Sequence, residues 1–117
     1  ISFVKLASYQ GIASTGEIKE VIGLNEDITN RAVIIVEDIV DTGATMKRMI
    51  EKLGTRSPAS LDICTLLLKP GKLKAPLNIK YVEYAAMEIP NDFIVGYGLD
   101  YDQQGRNLRD IYTLVEE

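Results

Sequence analysis

At 117 residues and 13.0 kDa the chain is sized for one domain, with 46% hydrophobic and 26% charged residues, as in ordinary globular folds. A net charge of −4, with no histidine, excludes a basic nucleic-acid-binding stripe and any histidine-based acid–base or metal chemistry within the chain. The lone cysteine, Cys64, cannot form an internal disulfide and points to a reducing, cytoplasmic setting; no apolar stretch approaches the roughly 18 residues of a membrane span.

Residues 1–8 (ISFVKLAS) carry apolar side chains on both faces of a strand pattern, and the chain enters that pattern at its first residue. Residues 9–16 (YQGIASTG) are small, polar and bracketed by glycines, which predicts a flexible loop. Residues 17–24 read as a returning strand, making a long hairpin. Residues 32–36 (AVIIV) form a continuous β-branched run of the kind found in central parallel strands. Met46, Met49, Ile50 and Leu53 then recur at helical spacing opposite Lys47, Arg48, Glu51 and Lys52, and Gly54 is expected as the C-cap. A second apolar strand over residues 61–68 (LDICTLLL) completes a strand–helix–strand unit, for which a right-handed crossover is expected. Shorter strands are predicted at residues 81–85, 93–97 and 111–115, with loops over residues 69–75 and 101–107.

Residues 31–46, RAVIIVEDIVDTGATM, concentrate the chemistry. The buried strand delivers Glu37 and Asp38 to its C-terminal end, where open α/β sheets bind ligands. Asp41, Thr42, Gly43, Ala44 and Thr45 then place unpaired backbone N–H groups and two hydroxyls at a helix N-terminus, a site for a monophosphate. Carboxylates beside an anion nest are economically explained by a sugar phosphate, whose vicinal hydroxyls donate to the acids. The competing reading of each feature is structural: a helix cap for stability and a solvated acid pair. By composition alone Lys69 can also be read as a solvated loop lysine and Phe93 as plain core, while Cys64 reads as a small core residue.

VIIVEDIVDTGATM resembles the phosphoribosyl diphosphate signature of the type I phosphoribosyltransferases. Ser8 and Tyr9, then Ser14, Thr15 and Gly16, LLLK at residues 66–69 and IPNDFIVGYGLDYDQQGRNL at residues 89–108 are similar to the hypoxanthine/guanine branch. The resemblance implies an α/β fold, an open, mainly parallel twisted sheet with flanking helices, Rossmann-like and truncated at its N-terminus, since the family's diphosphate loop and first core elements have no counterpart before Ile1. Such a portion is expected to be inactive alone and prone to associate through exposed apolar surface.

The resemblance also implies roles. Glu37 and Asp38 would contact the ribose hydroxyls, Asp41 would be the general base beside the purine, and the backbone of residues 41–45 with Thr42 and Thr45 would hold the 5′-phosphate. Lys69 would donate to the purine 6-oxo group, Phe93 would stack on the base, and Ile94 and Leu99 would line its edge. Asp100 would bind Mg²⁺, Arg106 would contact the diphosphate, and Ser8 and Tyr9 would open a lid. The implied partners are phosphoribosyl diphosphate and an oxopurine, in a homodimer or homotetramer, with no nucleic acid or membrane. A non-catalytic nucleotide-sensing relative is the alternative. A receiver-like domain fits poorly, because residues 79–86 lack the aspartate that it needs.

Overall fold

A computed structural model describes residues 1–8, 18–73 and 82–115. Tyr9, Ser14, Thr15 and Gly16 lie outside the described residues, as does the expected start of a strand at Tyr81. Strand β1 (Lys5–Ser8) pairs antiparallel with β2 (Ile18–Ile22), so the predicted hairpin forms.

The centre is a three-stranded parallel sheet in the order β3 (Ala32–Val40), β4 (Ser60–Leu68), β5 (Tyr84–Glu88), with helix α1 (Ala44–Gly54) joining the first two. This is the expected α/β arrangement, but β3, expected to be a buried central strand, lies at the edge of the described sheet and is largely exposed. The ladder runs from Ala32 opposite Ser60 to Val40 opposite Leu68. Strand β3 is therefore longer than its apolar run, and Glu37 and Asp38 lie within it rather than beyond it. Polar residues hide the extension from a hydrophobicity pattern, whereas the Glu37–Thr65, Ile39–Leu67 and Val40–Leu68 pairs carry the strand onward.

Strand β5 starts three residues later than predicted, because Cys64 faces Tyr84 and Leu68 faces Glu88 in the ladder. The sequence around it is apolar enough for either register, and the partner strand chooses. Val40, Met46, Ile63 and Leu68 form the buried core, with Met49 and Ile50 of α1 packed against it. Ile34 and Val36 on β3 and Tyr84 and Met87 on β5 remain exposed.

Gly54 is the last helical residue, not a left-handed cap. The C-cap is Thr55 at φ −67°, whose hydroxyl donates to the Lys52 carbonyl at 2.7 Å. The left-handed residue comes later, at Ser57 (φ 55°). The hydroxyl satisfies a terminal carbonyl that would otherwise need a Schellman turn.

The last two strands shrink to β6 (Ile94–Val95) and β7 (Tyr112–Thr113), paired antiparallel. Gly96, Tyr97 and Gly98 take φ of 101°, 52° and 93°, turning the chain out of the strand. The loop that follows is held by backbone bonds between Gly96 and Leu99 and between Tyr101 and Gln104.

Candidate functional site

Three connections meet beyond the C-terminal ends of β3 and β4. The first is the bend from Asp41 to the start of α1. Gly43 is the N-cap at φ 81°, a conformation a Cβ would strain, and no side chain caps the helix. Thr42 Oγ1 accepts the Ala44 N–H at 3.3 Å, and the first turn carries no acidic residue. The remaining first-turn N–H groups, with the positive end of the helix dipole, suit an anion.

The second connection follows β4. The Lys69 N–H donates to the Val40 carbonyl at 3.0 Å, and the residue is buried. Its Nζ lies 3.6 Å from Asp41 Oδ2. A buried lysine has its charge matched by a carboxylate, which rules out the reading of Lys69 as a solvated loop residue. A 3-10 turn, Pro70–Lys72, brings Lys72 Nζ to 3.5 Å from Asp41 Oδ1.

The third is the segment before and after β6. Phe93 is half exposed and meets Tyr101 edge-on, with ring centroids 5.7 Å apart, so it is not the plain core residue that its apolar neighbours allowed. Asp100 Oδ1 pairs with Arg106 at 3.2 Å, and its Oδ2 accepts the Gln103 N–H at 2.9 Å. Arg106 also donates to the Gly98 carbonyl at 3.0 Å.

Together these connections wall a cavity of about 480 Å³ lined by Ile39, Asp41, Lys69, Lys72, Asn91, Phe93, Ile94, Leu99 and Asp100. Six of the residues singled out from sequence therefore share one space: Asp41, Lys69, Phe93, Ile94, Leu99 and Asp100. It offers an aromatic face, apolar walls, the Asp41 carboxylate beside two ammonium groups, the Asp100 carboxylate and the Asn91 amide. Such a cavity takes a flat, polar-edged molecule.

Glu37, Asp38, residues 42–45 and Arg106 are outside the cavity lining. The anion nest adjoins the cavity through Asp41, whereas Glu37 and Asp38 sit upstream along β3. Asp38 Oδ1 accepts the Ile39 N–H at 2.7 Å, so part of its capacity serves the backbone. Desolvation raises the Glu37 carboxyl above its usual range, and the neighbouring Asp38 charge adds to the shift. Ser8 ends β1, and Tyr9 is outside the described residues.

Lys72 and Asn91 were not singled out from the sequence. A signal for Lys72 existed: it follows Lys69 by three residues with Pro70 between, the spacing of one 3-10 turn. Asn91 carries no such signal.

Among the described residues no group of three or more acids or cysteines converges as a metal cage. Asp100 spends one oxygen on Arg106 and the other on a backbone N–H, yet a carboxylate has about four lone-pair sites. Magnesium commonly takes only one or two carboxylates and fills its shell with substrate phosphates and water. The residues fit an ion that arrives with a phosphorylated substrate.

The phosphoribosyl transferase domain model matches residues 1–102. Among curated relatives, a hypoxanthine-guanine phosphoribosyltransferase of Mycobacterium avium is 46% identical over 113 residues, covering 96% of this chain and 54% of that protein. One of Staphylococcus aureus is 46% identical over 118 residues, covering 100% and 64%. The chain thus spans between about half and two-thirds of the length of these relatives. A solved hypoxanthine phosphoribosyltransferase from Staphylococcus aureus superposes with a TM-score of 0.83 at 44% identity, covering 97% of this chain and 60% of that one. The Trypanosoma cruzi enzyme in complex with its product IMP gives 0.83 at 40% identity, covering 97% and 58%. With its parallel sheet and this match over residues 1–102, the chain belongs to the phosphoribosyltransferase domain family.

Proposed function

We propose that the protein carrying this chain transfers the 5-phosphoribosyl group from phosphoribosyl diphosphate to hypoxanthine or guanine, giving IMP or GMP and diphosphate. The carrying observation is the cavity in which Asp41, Lys69, Phe93, Ile94, Leu99 and Asp100 meet beside the helix N-terminus. The similarity to enzymes named for this activity supports the same reading.

The base stacks on Phe93, with Ile94 and Leu99 along its edge, and Lys69 donates to its 6-oxo group. That donor favours oxopurines over adenine, whose 6-amino group cannot accept in the same way. The backbone of residues 41–45, including Gly43 and Ala44, with the Thr42 and Thr45 hydroxyls, holds the 5′-phosphate. Glu37 and Asp38 accept from the ribose hydroxyls. The bond from C1′ to the diphosphate oxygen breaks, a bond from C1′ to a purine nitrogen forms, and Asp41 takes the proton that the base gives up. Asp100 would hold a magnesium ion, which would supply charge neutralisation for the departing diphosphate. Arg106 orients Asp100 and adds a cation on that side. Ser8 and Tyr9 open a segment that excludes water.

The 117 residues form part of one domain in this reading, in a cytoplasmic homodimer or homotetramer. The test is diphosphate release from phosphoribosyl diphosphate and Mg²⁺ with hypoxanthine, guanine, xanthine or adenine, using the protein at the length of its relatives. Turnover with oxopurines only, strongly reduced in Asp41→Asn, supports the proposal. Binding of phosphoribosyl diphosphate without turnover of any purine refutes it and favours a nucleotide sensor.

A further inference from the structure

Lys69 and Lys72 stand at the two ends of a 3-10 turn, where residues three apart eclipse each other. Pro70 presets the turn, and the Lys72 N–H closes it on the Lys69 carbonyl at 3.1 Å. The two ammonium groups converge on one carboxylate but take different oxygens, Lys69 at 3.6 Å from Oδ2 and Lys72 at 3.5 Å from Oδ1 of Asp41. Lys69 is 4% exposed and Lys72 37%. Asp41 Oδ1 is shut off from solvent and accepts no hydrogen bond, so the Lys72 charge is what faces it. The Asp41 side chain as a whole is 42% exposed, so it is the enclosed Oδ1 that benefits from such a counter-charge.

We propose that Lys72 is a positioning residue: it keeps Asp41 in place and compensated when Lys69 turns from that carboxylate to the bound base. This rests on reading the cavity as an oxopurine site. There Lys69 has two competing tasks, pairing with Asp41 and donating to the ligand, which divide the hold of one ammonium group. Lys72 makes the exchange cheap, because Asp41 keeps one cation throughout. Without it, Lys69 is the one counter-charge to Asp41 among the described residues, and the base draws that charge away on binding. The cost falls on purine binding more than on turnover. Arginine at the position preserves the charge, while methionine keeps most of the apolar stem and removes it.

The test is steady-state kinetics with hypoxanthine and phosphoribosyl diphosphate on wild type, Lys72→Met and Lys72→Arg, in the protein at the length of its relatives. Lys72→Met is expected to raise the hypoxanthine KM about two- to fivefold, the range for losing one largely solvent-exposed ion pair. The accompanying fall in kcat is smaller, the phosphoribosyl diphosphate KM stays put, and Lys72→Arg restores the hypoxanthine KM. An unmoved hypoxanthine KM in an active protein, or a rise that Lys72→Arg does not reverse, overturns the role of Lys72 alone. A rise that comes with a lowered thermal midpoint and a raised phosphoribosyl diphosphate KM is general damage and overturns it too. A wild type that turns over no purine overturns the reading of the site, and this role with it.

Discussion

Gly96 and Gly98 make a controlled pair for asking what shapes the loop that carries Leu99 and Asp100. Both have positive φ, 101° and 93°, so alanine at either position meets backbone strain. That strain is worth about 1–2 kcal/mol. They differ in space. A Cβ on Gly98 finds nothing within 4 Å, whereas one on Gly96 comes within 2.1 Å of the Asp110 carbonyl oxygen and 3.2 Å of the Leu108 Cβ. The first of these is backbone, held near the β6–β7 ladder, and cannot swing aside. Overpacking of this kind adds about 1–3 kcal/mol. Gly98→Ala is therefore expected to cost about 1–2 kcal/mol and Gly96→Ala about 2–5 kcal/mol. Urea denaturation at constant m-value measures both. Gly96→Ala also displaces the chain that presents Leu99 and Asp100 to the cavity, so it weakens purine binding more than Gly98→Ala does. Equal destabilisation by the two substitutions would refute the argument from the Asp110 contact.

Glu37→Gln tests the raised Glu37 carboxyl. The folded state binds that proton more tightly than the unfolded state, so the Glu37 contribution to stability is present below the ordinary carboxylate range and is lost as pH rises through the raised folded value. The variant should match wild type at low pH and gain on it towards neutrality in urea midpoint; a constant difference across pH contradicts the desolvation argument. Leu67 is 1% exposed and Phe93 51%, so Leu67→Ala should cost about 2–5 kcal/mol of stability, while Phe93→Ala should spare stability and raise the purine KM. Denaturation curves beside purine kinetics separate the two effects. Val36 is 76% exposed beside Ile34 at 57%, on a strand at the edge of the described parallel sheet. Val36→Lys should reduce concentration-dependent association of the 117-residue chain in sedimentation velocity, since a charge blunts an apolar edge. Unchanged association would place the sticky surface elsewhere.

Local chemistry made much of this protein legible. The β-branched run of β3, the helical spacing of Met46, Met49, Ile50 and Leu53, and Gly43 at the head of the helix each depend on neighbours a few residues away. For that reason the strand–helix–strand unit and the glycine at the head of its helix could be read from order alone. Tertiary structure decided the rest. The extension of β3 through Glu37 and Asp38 and the later start of β5 follow from pairing with β4, a partner that a periodicity cannot see. The shortness of β6 follows from three consecutive positive φ angles, of which only the two glycines announce themselves in sequence. Composition alone leaves Lys69 open to a solvated-loop reading, and its burial beside the Val40 carbonyl and the Asp41 carboxylate is a product of the sheet. Lys72 gained its meaning in the same way, because an ion pair between residues 31 positions apart is a property of the fold and not of the residue type.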